Sequence, residues 1–182
     1  MQSGIFISFL LLASLGDVDS LDFSAANRDN FGPFVASWHH YEVCRGPKPK
    51  NDTLFVTVLE RHGDSYGASF NITAFTAARL DKIKISVYTI KGGVKHSLLW
   101  SYKLDNPCQH LVVGALFESE FNAKNCVLTK GFHHAYLNFT SLAHDFFGTS
   151  FFYGEFLFKA IILSKTGNIG CLNYNTVFSK KE

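Results

Sequence analysis

Four cysteines, Cys44, Cys108, Cys126 and Cys171, and eight histidines are the side chains of this 182-residue sequence best suited to chemistry of their own. Thiols attack substrates, ligate metal or pair with one another, and the cellular compartment decides which. No CxxC unit and no Cys/His cluster at zinc spacing is present. The histidines include two adjacent pairs, His39-His40 and His133-His134. Neighbours on a strand point to opposite faces, so neither pair can chelate one metal. His144-Asp145 imitates only part of a catalytic dyad. A GxSxG nucleophile elbow, HExxH and a GxGxxG opening a helix are all absent from the sequence. The residues point away from an enzyme, and no catalytic residue, metal or cofactor is expected.

Pairing is the chemistry that remains, and the N-terminus favours it. Ile5 to Leu15 (IFISFLLLASL) is an apolar run of 11 residues followed at once by Asp17 and Asp19. That is too short to span a bilayer, so residues 1–20 read as a cleaved signal peptide, cut after Ser20 or else after Gly16. The run lacks a preceding Lys or Arg. Export places the cysteines in an oxidising compartment, and their even number allows three connectivities, among which sequence alone does not choose. Chain entropy assigns about 3 kcal/mol to a 108–126 bridge and about 5 kcal/mol to a 44–171 bridge, and this nested pairing is the expectation. Three sequons, Asn51-Asp-Thr53, Asn71-Ile-Thr73 and Asn138-Phe-Thr140, agree with export and are the expected glycosylation sites. The expected destination is extracellular, with the lysosome as the other.

Residues 21–182 form one expected domain, because no linker, repeat or charge block interrupts them and the length suffices for a single core. Removing Asp17 and Asp19 with the leader takes the acids from 15 to 13 against 17 Lys and Arg, a formal +4. This excess is scattered, which argues against a nucleic-acid partner. Lys82, Lys84, Lys91 and Lys95 flank two expected strands, where they could meet anionic lipid head groups at a membrane surface or simply form a solvated face.

The elements that must position these residues are strands. If Asn71 faces solvent in 67–78, then Phe70, Ile72 and Ala74 face inward. Segment 82–90 alternates, with Ile83, Ile85 and Val87 on one face. Gly92-Gly93 turns it into 96–104, where Leu98, Trp100, Tyr102 and Leu104 share a face. In 132–140 the sequon phase turns Ala135, Leu137 and Phe139 inward. Segment 154–163 places Phe156, Phe158, Ala160 and Ile162 together, and 168–178 follows. With 35–43 and 53–60 these make seven or eight strands, the pattern of an all-β sandwich or barrel. One short helix is expected between Cys108 and Cys126, from apolar residues at 111, 112, 115, 116 and 121.

The run Cys126-Val-Leu-Thr-Lys-Gly131-Phe, then Tyr153-Gly154-Glu-Phe-Leu-Phe, then Gly167-Asn-Ile-Gly-Cys171-Leu-Asn-Tyr resembles the C-terminal half of the ML lipid-recognition domain, its ganglioside-activator-like members in particular. The likeness covers most of 35–178 and is specific from about residue 105 onward. It implies a secreted, immunoglobulin-like two-sheet β-sandwich, splayed into a lipid cup. It also implies a first cysteine bridged to the last, Cys44 to Cys171. The chain has four cysteines rather than more, so loop rigidity and lipid specificity are not carried across.

Phenylalanine, 19 of 182 residues, makes the same proposal independently, since rings at inward positions suit an over-wide interior. For any single Phe, ordinary core packing is the plainer account. Phe70, Ile72, Ile85, Val87, Trp100, Tyr102, Leu137, Phe139, Phe156 and Phe158 are expected to line one interior. Segment 145–153 (DFFGTSFFY) carries five aromatics in nine residues without periodicity. Phe146, Phe147, Phe151, Phe152 and Tyr153 are therefore expected at the rim of a lipid cavity, the alternative being a loop folded onto the core. The expected role is lipid carrier, presenter or hydrolase activator, with a lipid or other long-chain ligand and a hydrolase or receptor as partners. A secreted sandwich with a filled core that binds proteins is the competing expectation.

Overall fold

A computed structural model describes residues 30–181 other than Lys50 and Asp64. The expected signal peptide, residues 1–20, lies outside the described residues. Alternating apolar and polar residues build the strands β1 (Phe31–Val43), β2 (Thr53–His62), β3 (Ser65–Ala74), β4 (Ala78–Arg79), β5 (Lys82–Lys91) and β6 (Val94–Asp105). Helix α1 (Leu111–Phe121), β7 (Val127–Leu128), β8 (Gly131–Asn138), helix α2 (Phe139–Phe147), β9 (Ser150–Phe152), β10 (Gly154–Ser164) and β11 (Gly167–Lys180) follow. A six-stranded sheet runs β6-β5-β10-β11-β1-β9, and a three-stranded sheet runs β2-β3-β8. Strands β4 and β7 form a small ribbon. The two larger sheets enclose a core that joins Trp38, Ile169 and Leu172 of one to Phe70, Ile72 and Ala135 of the other, and the architecture is a mostly β sandwich.

Local chemistry sets the joints. Gly92 and Gly93 hold φ of 58° and 75°, the two positive values that a tight hairpin turn needs between β5 and β6. Cys44 is bonded to Cys171 and Cys108 to Cys126. The first bridge ties the end of β1 to β11, across a sequence separation of 127.

Four expectations need correction. There are two helices, not one. Strand β8 stops at Asn138 because its side chain accepts a hydrogen bond from Ser141 N at 3.0 Å and so caps α2, which leaves Phe139 as the first helical residue. The expected 67–78 strand ends at Ala74, and Ala78–Arg79 pairs with β7 instead. Helix α1 buries Gly114, Phe117 and Phe121, and exposes Leu111 and Ala115. A Cβ on Gly114 would stand 2.7 Å from the Cys108 carbonyl oxygen, so close approach to that turn chooses the buried face. On β6 the register jumps from Val87 opposite Trp100 to Tyr88 opposite Leu98. Leu99 bulges inward onto the core and Leu98 is left exposed.

Replacing Cys44 and Cys171 together by Ser is expected to lower the unfolding free energy by about 2–5 kcal/mol, more than the same change at Cys108 and Cys126, because the longer loop is freed. Urea unfolding midpoints of the two double variants check the order.

Candidate functional site

Register places the inner face of the six-stranded sheet in rows. One row reads Trp100, Val87, Phe158, Tyr174, Tyr41, and the next reads Tyr102, Ile85, Ala160, Leu172. A third reads Leu104, Ile83, Ile162, Gly170. Burial changes along these rows. Val87, Phe158 and Leu172 are buried, while Trp100, Tyr102, Leu104, Ile83, Ile85, Ala160 and Ile162 are only half-buried. Three strands cannot cover six, and the β5–β6–β10 end keeps an apolar strip with one side partly open.

The expected single interior divides into two packed clusters. Phe70, Ile72, Leu137 and Phe139 belong to the cluster between the sheets. Val87, Phe156 and Phe158 belong to a second, with Ile85 and Trp100 packed against it. Tyr174 touches both. Tyr102 lies half-buried beside Ile85 in the register. Tyr174 is the hinge of the two groups, its ring 4.7 Å from Trp38, 5.7 Å from Phe139 and 5.1 Å from Phe158. Burial among these rings pushes its phenol pKa well above the ordinary tyrosine range.

Segment 145–153 is mostly ordered onto the core. Phe147 ends α2 and stacks at 4.3 Å on Phe151, whose ring also lies 4.7 Å from Phe178. Phe152 meets Phe31 at 5.0 Å, and the Tyr153 hydroxyl donates to the Pro33 carbonyl at 3.0 Å. Phe151 is 9% exposed and Phe146 54%, so Phe146 alone of the five faces solvent freely. Sequence offered a signal for this that the strand phase obscured. Phe139, Leu142, Ala143, Phe146 and Phe147 follow helical spacing behind an Asn N-cap.

Charged side chains cross the hairpin on the face of the sheet away from the strip. Lys82 Nζ and Lys103 Nζ stand 3.0 and 3.4 Å from the Asp105 carboxylate. The Lys82 hydrogen bond holds the Asp105 carboxyl below its usual range, and the same bond raises Lys82. Lys95 lies over the Tyr88 ring at 3.8 Å. A shallow pocket at the Cys108–Cys126 bridge, lined by Arg79, Leu80, Asn106 and Asn125 among others, shares no residue with the strip. Among the described residues, no group of three His, Cys, Asp or Glu could hold a metal. Of the sequon asparagines, Asn51 is exposed, Asn71 is half-buried on β3, and Asn138 caps α2.

Fold and interior define a disulfide-stapled β-sandwich with a buried aromatic core and a half-open apolar strip between unequal sheets. No family model matches the chain, and no curated protein matches it. Among solved structures it is similar to chicken MD-1 complexed with lipid IVa, at 14% identity over 80% of this chain and 97% of that one, with a TM-score of 0.35. It is also similar to a Niemann-Pick type C2 protein from the Japanese carpenter ant, at 9% identity over 79% and 92%, with a TM-score of 0.31. Superpositions this loose carry no residue roles across, so the chain's own packing must decide what its interior can hold.

Tyr174→Phe separates the buried phenol from the rest of the alkaline response. The folded pKa is raised, so the phenol's contribution is intact below the unfolded value near 10 and is lost as pH rises above it. Wild type is expected to lose more stability than Tyr174→Phe between pH 10 and 12, read by denaturant midpoints at each pH. Phe151→Ala is expected to cost about 3–5 kcal/mol, and Phe146→Ala less than about 0.5 kcal/mol. Equal losses in thermal and urea unfolding would contradict the burial difference.

Proposed function

We propose that the protein binds a long-chain hydrophobic ligand, an acyl chain or similar lipid tail, along the strip between β5–β6–β10 and the short sheet. One observation carries this reading. Ile85, Trp100, Tyr102 and Ala160 lie on the inner face of a sheet six strands wide, opposite a sheet of three, and stay half-buried. A half-open apolar surface of this kind is the usual wall of a lipid site, while Lys82, Lys103 and Asp105 alternate with it in the register and lie on the other face of the sheet. Ile85, Val87, Trp100, Tyr102 and Phe158 are the proposed contacts on this sheet, with Phe156 supporting them. Phe70, Ile72, Leu137 and Phe139 wall the interior from the other side.

Magnitudes favour exchange over sequestration. Each buried methylene is worth roughly 0.8 kcal/mol, so a sixteen-carbon tail contributes on the order of 10 kcal/mol relative to water. A bilayer offers the same tail nearly as much. Head-group contacts and a shallow touch of Phe146 at the membrane surface then suffice to move lipid in and out. Carrier, presenter and hydrolase activator are finer forms of this role, with a hydrolase or receptor as partner. Secretion is supported by two disulfides and by the absence of a free cysteine among the described residues.

A second reading, a protein-binding sandwich with a filled core, is favoured by the ring packing around Phe178, which has Phe34, Phe147, Phe151, Phe156 and Phe158 within 6.4 Å. One titration separates the two. Trp100 is half-exposed on the strip whereas Trp38 is buried, so a long-chain fatty acid is expected to shift Trp100 emission to the blue. Trp100→Phe is expected to remove the shift. Ala160→Phe fills the strip and is expected to weaken the fatty acid about tenfold while melting changes little. No shift, and no effect of Ala160→Phe, would leave the filled-core reading standing.

A further inference from the structure

The outer face of the three-stranded sheet carries exposed apolar side chains on both edge strands, β2 and β8, flanking a polar row on β3. Register aligns Leu54, Thr73 and Phe132 in one row, Val56, Asn71 and His134 in the next, and Val58, Ser69 and Tyr136 in a third. Leu54 is 54% and Phe132 67% exposed, and Val56, Val58 and Tyr136 are exposed with them. Five such side chains on one flat face, two of its three strands being edges, form an adhesive surface unless something covers it.

Asn71 stands in the middle row of the middle strand, and the triplet Asn71-Ile72-Thr73 is a sequon whose two polar members share this face by the period of two. Its Oδ1 accepts the Nδ1 proton of His134 at 3.0 Å. The Asn71 Nδ2, the atom that bears a glycan, makes no hydrogen bond among the described residues. Asn138 contrasts with it, because that side chain caps α2 and the Thr140 hydroxyl of its sequon accepts a hydrogen bond from Tyr66 N at 2.9 Å.

We propose that an N-linked glycan on Asn71 covers the outer face of the three-stranded sheet, in the place where a protein partner would otherwise bind. The transfer forms a bond from Asn71 Nδ2 to the anomeric carbon of a lipid-pyrophosphate-linked oligosaccharide. The bond from that carbon to the pyrophosphate oxygen breaks, the lipid pyrophosphate leaves, and Nδ2 loses one proton to the transferase base. Sugar rings present C–H faces that pack on Phe132, Tyr136, Leu54, Val56 and Val58, and their hydroxyls turn to water. The proposal rests on export of the chain and is independent of the lipid reading.

The test is made on protein secreted from eukaryotic cells. Peptide mapping is expected to find glycan on Asn71. Native enzymatic deglycosylation is expected to raise hydrophobic-dye fluorescence about twofold and to shift the monomer to larger species in sizing chromatography. Thr73→Ala is expected to do the same, whereas Thr73→Ser, which keeps the sequon, behaves as wild type. Leu54→Thr, Val56→Thr and Val58→Thr, added to Thr73→Ala, are expected to return dye binding and size to wild type, which localises the effect to this face. If Thr73→Ala fails to fold, the deglycosylated wild type gives the answer alone. Unmodified Asn71 in the secreted protein, a deglycosylated monomer with unchanged dye binding, or a protein partner held on this face while the glycan is present would each overturn the proposal.

Discussion

An apolar sheet face must be covered, and here six strands face three. Covering apolar surface is worth roughly 25 cal/mol per Å², so the uncovered half of the wide sheet is a large debt against folding. The short sheet and α1 cover the region around Trp38, Ile169 and Leu172. The remaining half is met by α2 and by the sheet's own short edge strand β9, which bring Ala143, Phe147 and Phe151 onto Phe34, Phe156, Phe158 and Phe178. What neither cover reaches is the β5–β6 end. The strip is thus a consequence of layer widths, and the same inequality explains why the helix had to form where it did.

This also accounts for the phenylalanines. A short helix and a three-residue edge strand offer little backbone, and their side chains must span the gap themselves. Flat rings do that with large area and few rotatable bonds. The pairs Phe147–Phe151, Phe151–Phe178 and Phe34–Phe178 lie at 4.3, 4.7 and 5.1 Å, with planes tilted or edge-on as ring quadrupoles prefer. An aromatic-rich composition therefore has two simultaneous causes here, a thin cover on one half of the sheet and a half-open interior beside it.

Much of the fold was legible because it depends on local alternation. The β5–β6 hairpin follows from Ile83, Ile85 and Val87 and from the paired glycines, whose positive φ few other residues tolerate. The phase set by Asn71 finds Phe70 and Ile72 in the core. The misreadings share a different cause. Asn138 is at once a sequon residue, a strand end and a helix cap, and a strand phase extended through it hides the helical spacing that begins at Phe139. The buried face of α1 depends on how closely Gly114 approaches Cys108, and the bulge at Leu99 on pairing with β5. Those are tertiary facts that no window of sequence contains. The half-open strip belongs with them, since it arises from the number of strands opposite and not from any residue on it.

Strand β11 closes the molecule last in time as well as in space. It lies between β10 and β1, so β1 has no sheet partner on that side until the C-terminal residues exist. Cys108 and Cys126 are 18 apart and can meet while the chain is still being made, whereas Cys44 waits for Cys171, 127 residues downstream. A nascent chain therefore carries an unpaired thiol and an unsatisfied strand through most of its elongation. Pairing between segments so far apart in sequence costs more loop-closure entropy than a local hairpin does, and contacts of that kind slow folding.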